Sequence, residues 1–160
     1  MKKITVFLSA TVLLVALFAA TAFTPLPSGP SANGQGSLTR PGDLQRRFSF
    51  HANTMPDASV KGSGVLTITG GEAQIKFDID CMTISGNTAT MSGKVTSVSG
   101  NTIFQAGWDC WFKVVDNGEG ANAEPDQITL LYGGPNLLDC GVQYDVPLNT
   151  VEGGNIQVKP

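Results

Sequence analysis

The chain has 160 residues, of which 41% are hydrophobic and only 14% charged, and thirteen acids against ten bases give a net charge of -3. Phosphate backbones are held by clustered Lys and Arg, so an acidic chain with scattered bases is excluded as a nucleic-acid binder. The length suits one domain that buries about two-thirds of its unfolded surface, enough for a proper core.

The first element in chain order is a leader. Lys2 and Lys3 precede an apolar run from Ile4 to Phe23, no charge occurs from Ile4 to Thr39, and Ala20-Thr21-Ala22 has the small-x-small form of a cleavage site. Residues 1–22 are therefore expected to be a bacterial signal peptide, cut after Ala22. An uncleaved anchor is the competing reading, since about twenty apolar residues can span a bilayer. Pro25, Pro27 and Pro30 favour the start of a mature chain instead. Cleavage removes two of the ten bases (Lys2 and Lys3) and none of the thirteen acids, so the net charge moves from -3 to -5. No cysteine ends the apolar run, so lipid attachment has no acceptor, and no later segment is apolar enough to span a membrane. The expected destination is secreted, periplasmic or cell-surface. Residues 23–33, rich in Pro, Ser and Gly, read as a flexible lead to a single domain at 34–160.

Beyond the leader the alternation has period two. Gln35 to Thr39 forms a first strand, ended by the turn Arg40-Pro41-Gly42-Asp43. Weaker alternation marks Arg47 to Asn53, Val60 to Thr69 and Thr88 to Val98. From Gln74 to Cys81, the residues Ile75, Phe77, Ile79 and Cys81 share one face, the pattern of a half-buried strand. From Phe104 to Val114, the residues Phe104, Ala106, Trp108, Cys110, Phe112 and Val114 point inward, opposite Gln105, Asp109 and Lys113. Gln127 to Tyr132 and Asn155 to Val158 complete the set, the latter entered through Gly153-Gly154. Gly70-Gly71, Gly86-Asn87 and Gly100-Asn101 supply hairpin turns. Ser-Gly-Asn-Thr recurs at Ser85–Thr88 and Ser99–Thr102, one turn solution used twice. The expected fold is all-β, an antiparallel meander of seven or eight strands closed as a small barrel, with a two-sheet β-sandwich as the alternative.

The residues Cys81-Met82-Thr83-Ile84-Ser85-Gly86-Asn87-Thr88-Ala89, then Gly93 and Val95-Thr96, then Val114-Val115-Asp116-Asn117-Gly118-Glu119-Gly120 with Pro125-Asp126, carry a pattern across residues 34–160. It resembles a family of secreted bacterial all-β domains. The resemblance implies one compact secreted β domain and brings no reaction with it. Three cysteines in an exported chain suggest one disulfide and one spare thiol. The resemblance implies Cys81 with Cys140, leaving Cys110 as a buried thiol, and Cys110 with Cys140 is the competing pair. Neither a Cys-x-x-Cys nor a second histidine is present for zinc.

The richest loop runs from Asp116 to Asp126, with four carboxylates, two side-chain amides and no base. It can wrap a hard cation, in which case Asp116, Glu119, Glu124 and Asp126 supply the ligands for calcium. Equally, it can be a long connection in which Asp116 and Asn117 make side-chain turns and Gly118 and Gly120 take positive φ. Gly118-Glu119-Gly120-Ala121-Asn122-Ala123 imitates a dinucleotide fingerprint, but no helix follows and the extra acids repel phosphate. Residues 86–94 miss the P-loop spacing. His51 stands alone without a nucleophile elbow. Asp109 with Glu72 or Asp78 is a conceivable carboxylate pair for a hydrolase, a pattern any acid-rich chain offers.

Trp111 is expected on the outer face of its strand, either open to a carbohydrate or a cell-surface protein or packed beneath the N-terminal lead or residues 133–150. With no catalytic constellation, the expected function is a non-catalytic binding or structural module at the cell surface or outside the cell. The alternatives are a calcium-dependent adhesion or envelope module, a barrel carrying a small apolar ligand, and a carboxylate-based hydrolase.

Overall fold

In the computed structural model, the described residues are 29–39, 44–70, 73–120, 122–137 and 139–160. The expected signal segment, residues 23–28 of the lead and the turn at 40–43 lie outside them. Ten strands follow in order: β1 (Ser31–Leu38), β2 (Arg46–Thr54), β3 (Val60–Ile68), β4 (Ala73–Ser85), β5 (Thr88–Ser99), β6 (Asp109–Val115), β7 (Gln127–Thr129), β8 (Tyr132–Gly134), β9 (Leu148–Thr150) and β10 (Gly153–Lys159). All pairings are antiparallel, in the order β10-β1-β2-β3-β4-β5-β6-β7-β9, with β8 also on β6. The protein is all-β, and its one sheet curls into a half-barrel. No second sheet forms among the described residues, so the sandwich does not occur.

The curl follows from a row of alternating size on the concave face. Gly34 pairs with Phe50, Phe50 with Gly64, and Gly64 with Phe77. Each ring lies over a neighbouring glycine: a Cβ at Gly64 would come within 2.3 Å of the Phe77 ring, and one at Gly34 within 2.8 Å of Phe50. From the opposite wall Phe112 reaches Phe50 and Phe77 at ring-centroid distances of 5.3 and 5.6 Å, both edge-to-face. Such pairs add about 0.5–1.5 kcal/mol each beyond area burial. The space left by small residues is filled by rings, and the cavity among Phe48, Phe77, Phe112, Ile128 and Leu131 measures about 30 Å³. That is room for about one water, far below the ~300 Å³ or more of a small-molecule pocket.

Local departures from the sequence expectation have local causes. β1 begins at Ser31, so residues 31–33 of the expected lead belong to the sheet, paired with β2 and β10. The expected strand from Phe104 is regular only from Asp109. Gly107 takes φ 89°, the N–H of Gly107 and the C=O of Trp108 both bond Val95, and Ala106 is exposed rather than inward. The Gly100-Asn101 turn therefore opens a longer connection, not a tight hairpin.

A bulge corrects the inward placement of Cys81. Ile79 pairs with Gly93 but Cys81 with Ser92, leaving Asp80 unmatched. One extra residue reverses the side-chain phase. Met82 and Ile84 turn to the concave face and Cys81 and Thr83 to the outside.

Replacing Gly64 by Ala should lower the unfolding free energy by about 1–3 kcal/mol through displacement of the Phe77 ring. Gly134→Ala, where the new Cβ meets only Leu137 at 3.8 Å, should stay within about 0.5 kcal/mol of the parent. Equal denaturant midpoints for the two variants would refute the Gly–Phe row as the source of the curl.

Candidate functional site

β10 pairs with β1 along one edge only. The N–H groups of Ile156 and Val158, two residues apart, share the other edge. Ile156 donates to Oδ2 of Asp126 at 2.7 Å and Val158 to Oδ2 of Asp116 at 2.9 Å. Each second oxygen is also used: Oδ1 of Asp126 accepts from Asn117 N (2.9 Å), and Oδ1 of Asp116 from Gly118 N (2.8 Å). Asp126 is 7% exposed, and its carbonyl accepts from Val151 N. Asp116 is fixed from behind by Asn87, whose C=O accepts from Asp116 N and whose Nδ2 donates to Asp116 O. Two carboxylates thus close the half-barrel where no strand ladder does.

The four acids expected as calcium ligands do not converge. Among the described residues no group of three or more His, Cys, Asp or Glu is placed to hold a metal ion. Asp116 and Asp126 serve backbone N–H groups, while Glu119 and Glu124 are exposed on the loop. The side-chain turn from Asp116 to Gly118 and the φ values of 89° and 120° at Gly118 and Gly120 match the connection reading.

Glu119 links this seam to the outer sheet face. Its Oε1 accepts from Nδ2 of Asn155 at 2.7 Å and from Nε2 of Gln157 at 3.3 Å. Those amides stand in two cross-strand rows, Gln157–Asn33–His51–Ser63 and Asn155–Gln35–Ser49. Of these, Asn33, Gln35, Ser49, Asn155 and Gln157, with Gly34 and Phe50, line a shallow depression of about 390 Å³. Asn33, Gln35, Ser49 and His51 are exposed. Glu119 engages the donor ends of Asn155 and Gln157, so their carbonyl ends are left to accept. Sequence reading missed this face, because amides and hydroxyls at alternate strand positions look like ordinary solvated residues until the register stacks them.

The opposite end of the outer face carries a strap. Residues 139–147 cross β4, β5 and β6 on the outside, fixed by the Cys81–Cys140 disulfide with a Cα–Cα distance of 5.7 Å. Thr83 Oγ1 donates to Cys140 O, Thr90 and Gln143 bond through their side chains, and Trp111 Nε1 donates to Val142 O. Trp111 is fully buried, with Tyr132 and Tyr144 edge-on at 6.2 and 5.0 Å. It lies outside the sheet as expected but beneath the strap, not open to a ligand.

The remaining candidates stay apart. Asp78 and Asp109 flank Lys94 in one cross-strand row, and Asp109 forms an ion pair with Lys94. The hydrogen bond and charge of Asp109 raise the Lys94 pKa. Asp109 is thus engaged by the cation that stands between it and Asp78. Glu72 lies outside the described residues. Cys110 is buried, and burial, with Asp80 and Asp109 adding to it, pushes its thiol up to about 12.

Asp126→Asn leaves one of two N–H groups, of Asn117 or Ile156, facing an amide donor. A buried donor without an acceptor costs about 1–3 kcal/mol. The variant should lose about that much stability in denaturant titration, equally with calcium or with a chelator. An unchanged midpoint, or a loss seen only with calcium, would contradict the seam. Cys110 should resist alkylation near pH 8 in the folded protein and react on unfolding, since the thiolate is the nucleophile; fast labelling of folded protein would show it is not shielded. Comparisons of the chain with protein-family models, with curated proteins and with solved structures find no match.

Proposed function

We propose that this chain is a secreted, non-catalytic β module that acts by binding at the cell surface or outside the cell. Its contact surface is the amide face of β10, β1 and β2, and its ligand class is polyhydroxylated, a cell-surface carbohydrate. The observation that carries this reading is the depression framed by Asn33, Gln35, Ser49, Asn155 and Gln157. Asn33 and Gln35 offer donors and acceptors, Asn155 and Gln157 offer their carbonyl acceptors, and none carries charge, the complement of a neutral hydroxyl array. Glu119 holds Asn155 and Gln157 in place, which lowers the ordering cost of binding. Recognition runs through hydrogen bonds, because Trp111 is covered by the strap.

Export is supported by the leader pattern and by the disulfide, a cross-link that persists in oxidising compartments. The resemblance carried by residues 81–89 and 114–120 supports the same setting. The filled interior argues against a carrier of apolar ligands.

The test is retention on a panel of immobilised polysaccharides. The parent protein should bind at least one, and Gln35→Ala/Gln157→Ala should weaken that binding about tenfold, the effect of about 1.4 kcal/mol. No retention on any polysaccharide, equal retention by the double variant, or turnover of glycoside or ester substrates would each overturn the reading.

A further inference from the structure

β4 is thirteen residues long, and its two parts have different neighbours. From Ala73 to Ile79 it lies between β3 and β5, whereas Cys81–Ser85 pairs with β5 alone. β3 has diverged by then, its Val60 and Lys61 pairing only with β2. One edge of residues 81–85 therefore has no strand beside it among the described residues, and no backbone hydrogen bond from another segment reaches it. The edge of β10 is capped by Asp116 and Asp126. Among the described residues nothing caps this one in that way.

Open edges are normally defended by charge, proline or extreme shortness. Residues 81–85 hold none of these. The bulge at Asp80 ends just before them, so their pairing with β5 is regular, from Cys81 with Ser92 to Ser85 with Thr88. Met82 and Ile84 lie half-buried on the concave side, packed at the margin of the core. Cys81, Thr83 and Ser85 point outward.

We propose that two copies of this domain associate by antiparallel pairing of residues 81–85 across a two-fold axis at Thr83. In that register Thr83 meets Thr83 of the second copy, Met82 meets Ile84, and Cys81 meets Ser85. Apolar side chains face apolar ones on the inner side, and on the outer side hydroxyl faces hydroxyl at Thr83. The two Asp80 residues stand at opposite ends, about 20 Å apart at the rise of a strand, beyond the ~8 Å screening length of physiological salt. An axis at Met82 would set Ile84 against Asp80, and one at Ile84 would set Met82 against Gly86. Only the axis at Thr83 gives both Met82 and Ile84 an apolar partner. A one-residue slip would place inner against outer faces. The sheet then continues from one copy into the next, and each copy keeps its β10–β1–β2 face free. This association stands on the strand edge alone, whatever the amide face binds.

The test is the molar mass of the purified chain by sedimentation across a wide concentration range, with three variants at Thr83. The parent should pass from one copy to two as concentration rises. Thr83→Val, which loses the bond to Cys140 O without adding charge, should still pair. Thr83→Lys and Thr83→Glu should each remain single, because like charges meet on the axis, and an equimolar mixture of the two should regain the doubled mass. A parent that is single throughout, charged variants that pair as the parent does, or a mixture that fails to pair would each overturn the proposal. Melting curves separate this from a folding defect: loss of the Cys140 bond lowers all three variants alike, while pairing divides them by charge.

Discussion

A curled sheet that stops short of closure leaves an edge strand with its N–H groups unanswered, and here two aspartates answer them. Ile156 and Val158 donate to Asp126 and Asp116 at distances typical of charge-assisted bonds. A strand ladder would have needed a partner in register along the full length of β10. Carboxylates need only two fixed points, and both arrive from one loop. Buried backbone groups without partners are rare because each costs the desolvation it cannot recover, so the position of β10 depends on this loop being ordered. The loop is ordered by the same carboxylates, through Asn117 and Gly118. Seam and loop stabilise each other.

The rest of the fold can be ordered from that seam. Ile156 of β10 and Ala32 of β1 belong to the same core as Val114 of β6 and Ile128 of β7, so walls far apart in the strand order meet across the interior. They meet because the Gly–Phe row lets the sheet bend tightly enough. The disulfide acts elsewhere, on the outside, where it fastens a strap that the inner core does not touch. The domain thus has two separate apolar compartments, one within the curl and one around Trp111. The hydrogen bond from Trp111 Nε1 to Val142 O shows why the second can bury an indole: its polar atom has a partner under the strap.

Much of this was legible in the sequence, for reasons that also mark the limits. Alternation located β2, β3 and β4 because each has a dry and a wet face, and it was weaker in β5, where Ala89 to Gly93 are buried on both faces. Phe104 to Trp108 continued the alternation on paper, yet Gly107 breaks the strand there, since a pattern of side chains does not report backbone φ. The phase of Cys81 was misread for a related reason: a bulge inserts one residue without changing composition, and every side chain beyond it turns over. The barrel reading left room for an apolar ligand inside, whereas the rings that fill that space come from neighbouring strands, a fact of register. The Cys81–Cys140 pairing was reached through resemblance, not through spacing. The strap over Trp111 was among the readings left open, and geometry selects it.

The acidic loop shows most clearly how one sequence signal supports unlike structures. Oxygen atoms close together in sequence suit a cation, and they suit backbone N–H groups equally well, because both are positive centres seeking lone pairs. What separates the two is direction. Ligands of a cation converge on one point, whereas acceptors for a strand edge must be spread along it, two residues apart. Asp116 and Asp126 are spread in that way, and Glu119 lies further out on the amides of Asn155 and Gln157. The charge of this loop is therefore largely directed inward, at the protein's own donors, and the surface beside it is neutral and amide-lined. An excess of acid in the composition need not signify an acidic binding patch; in this fold it closes the sheet and sets the orientation of uncharged groups.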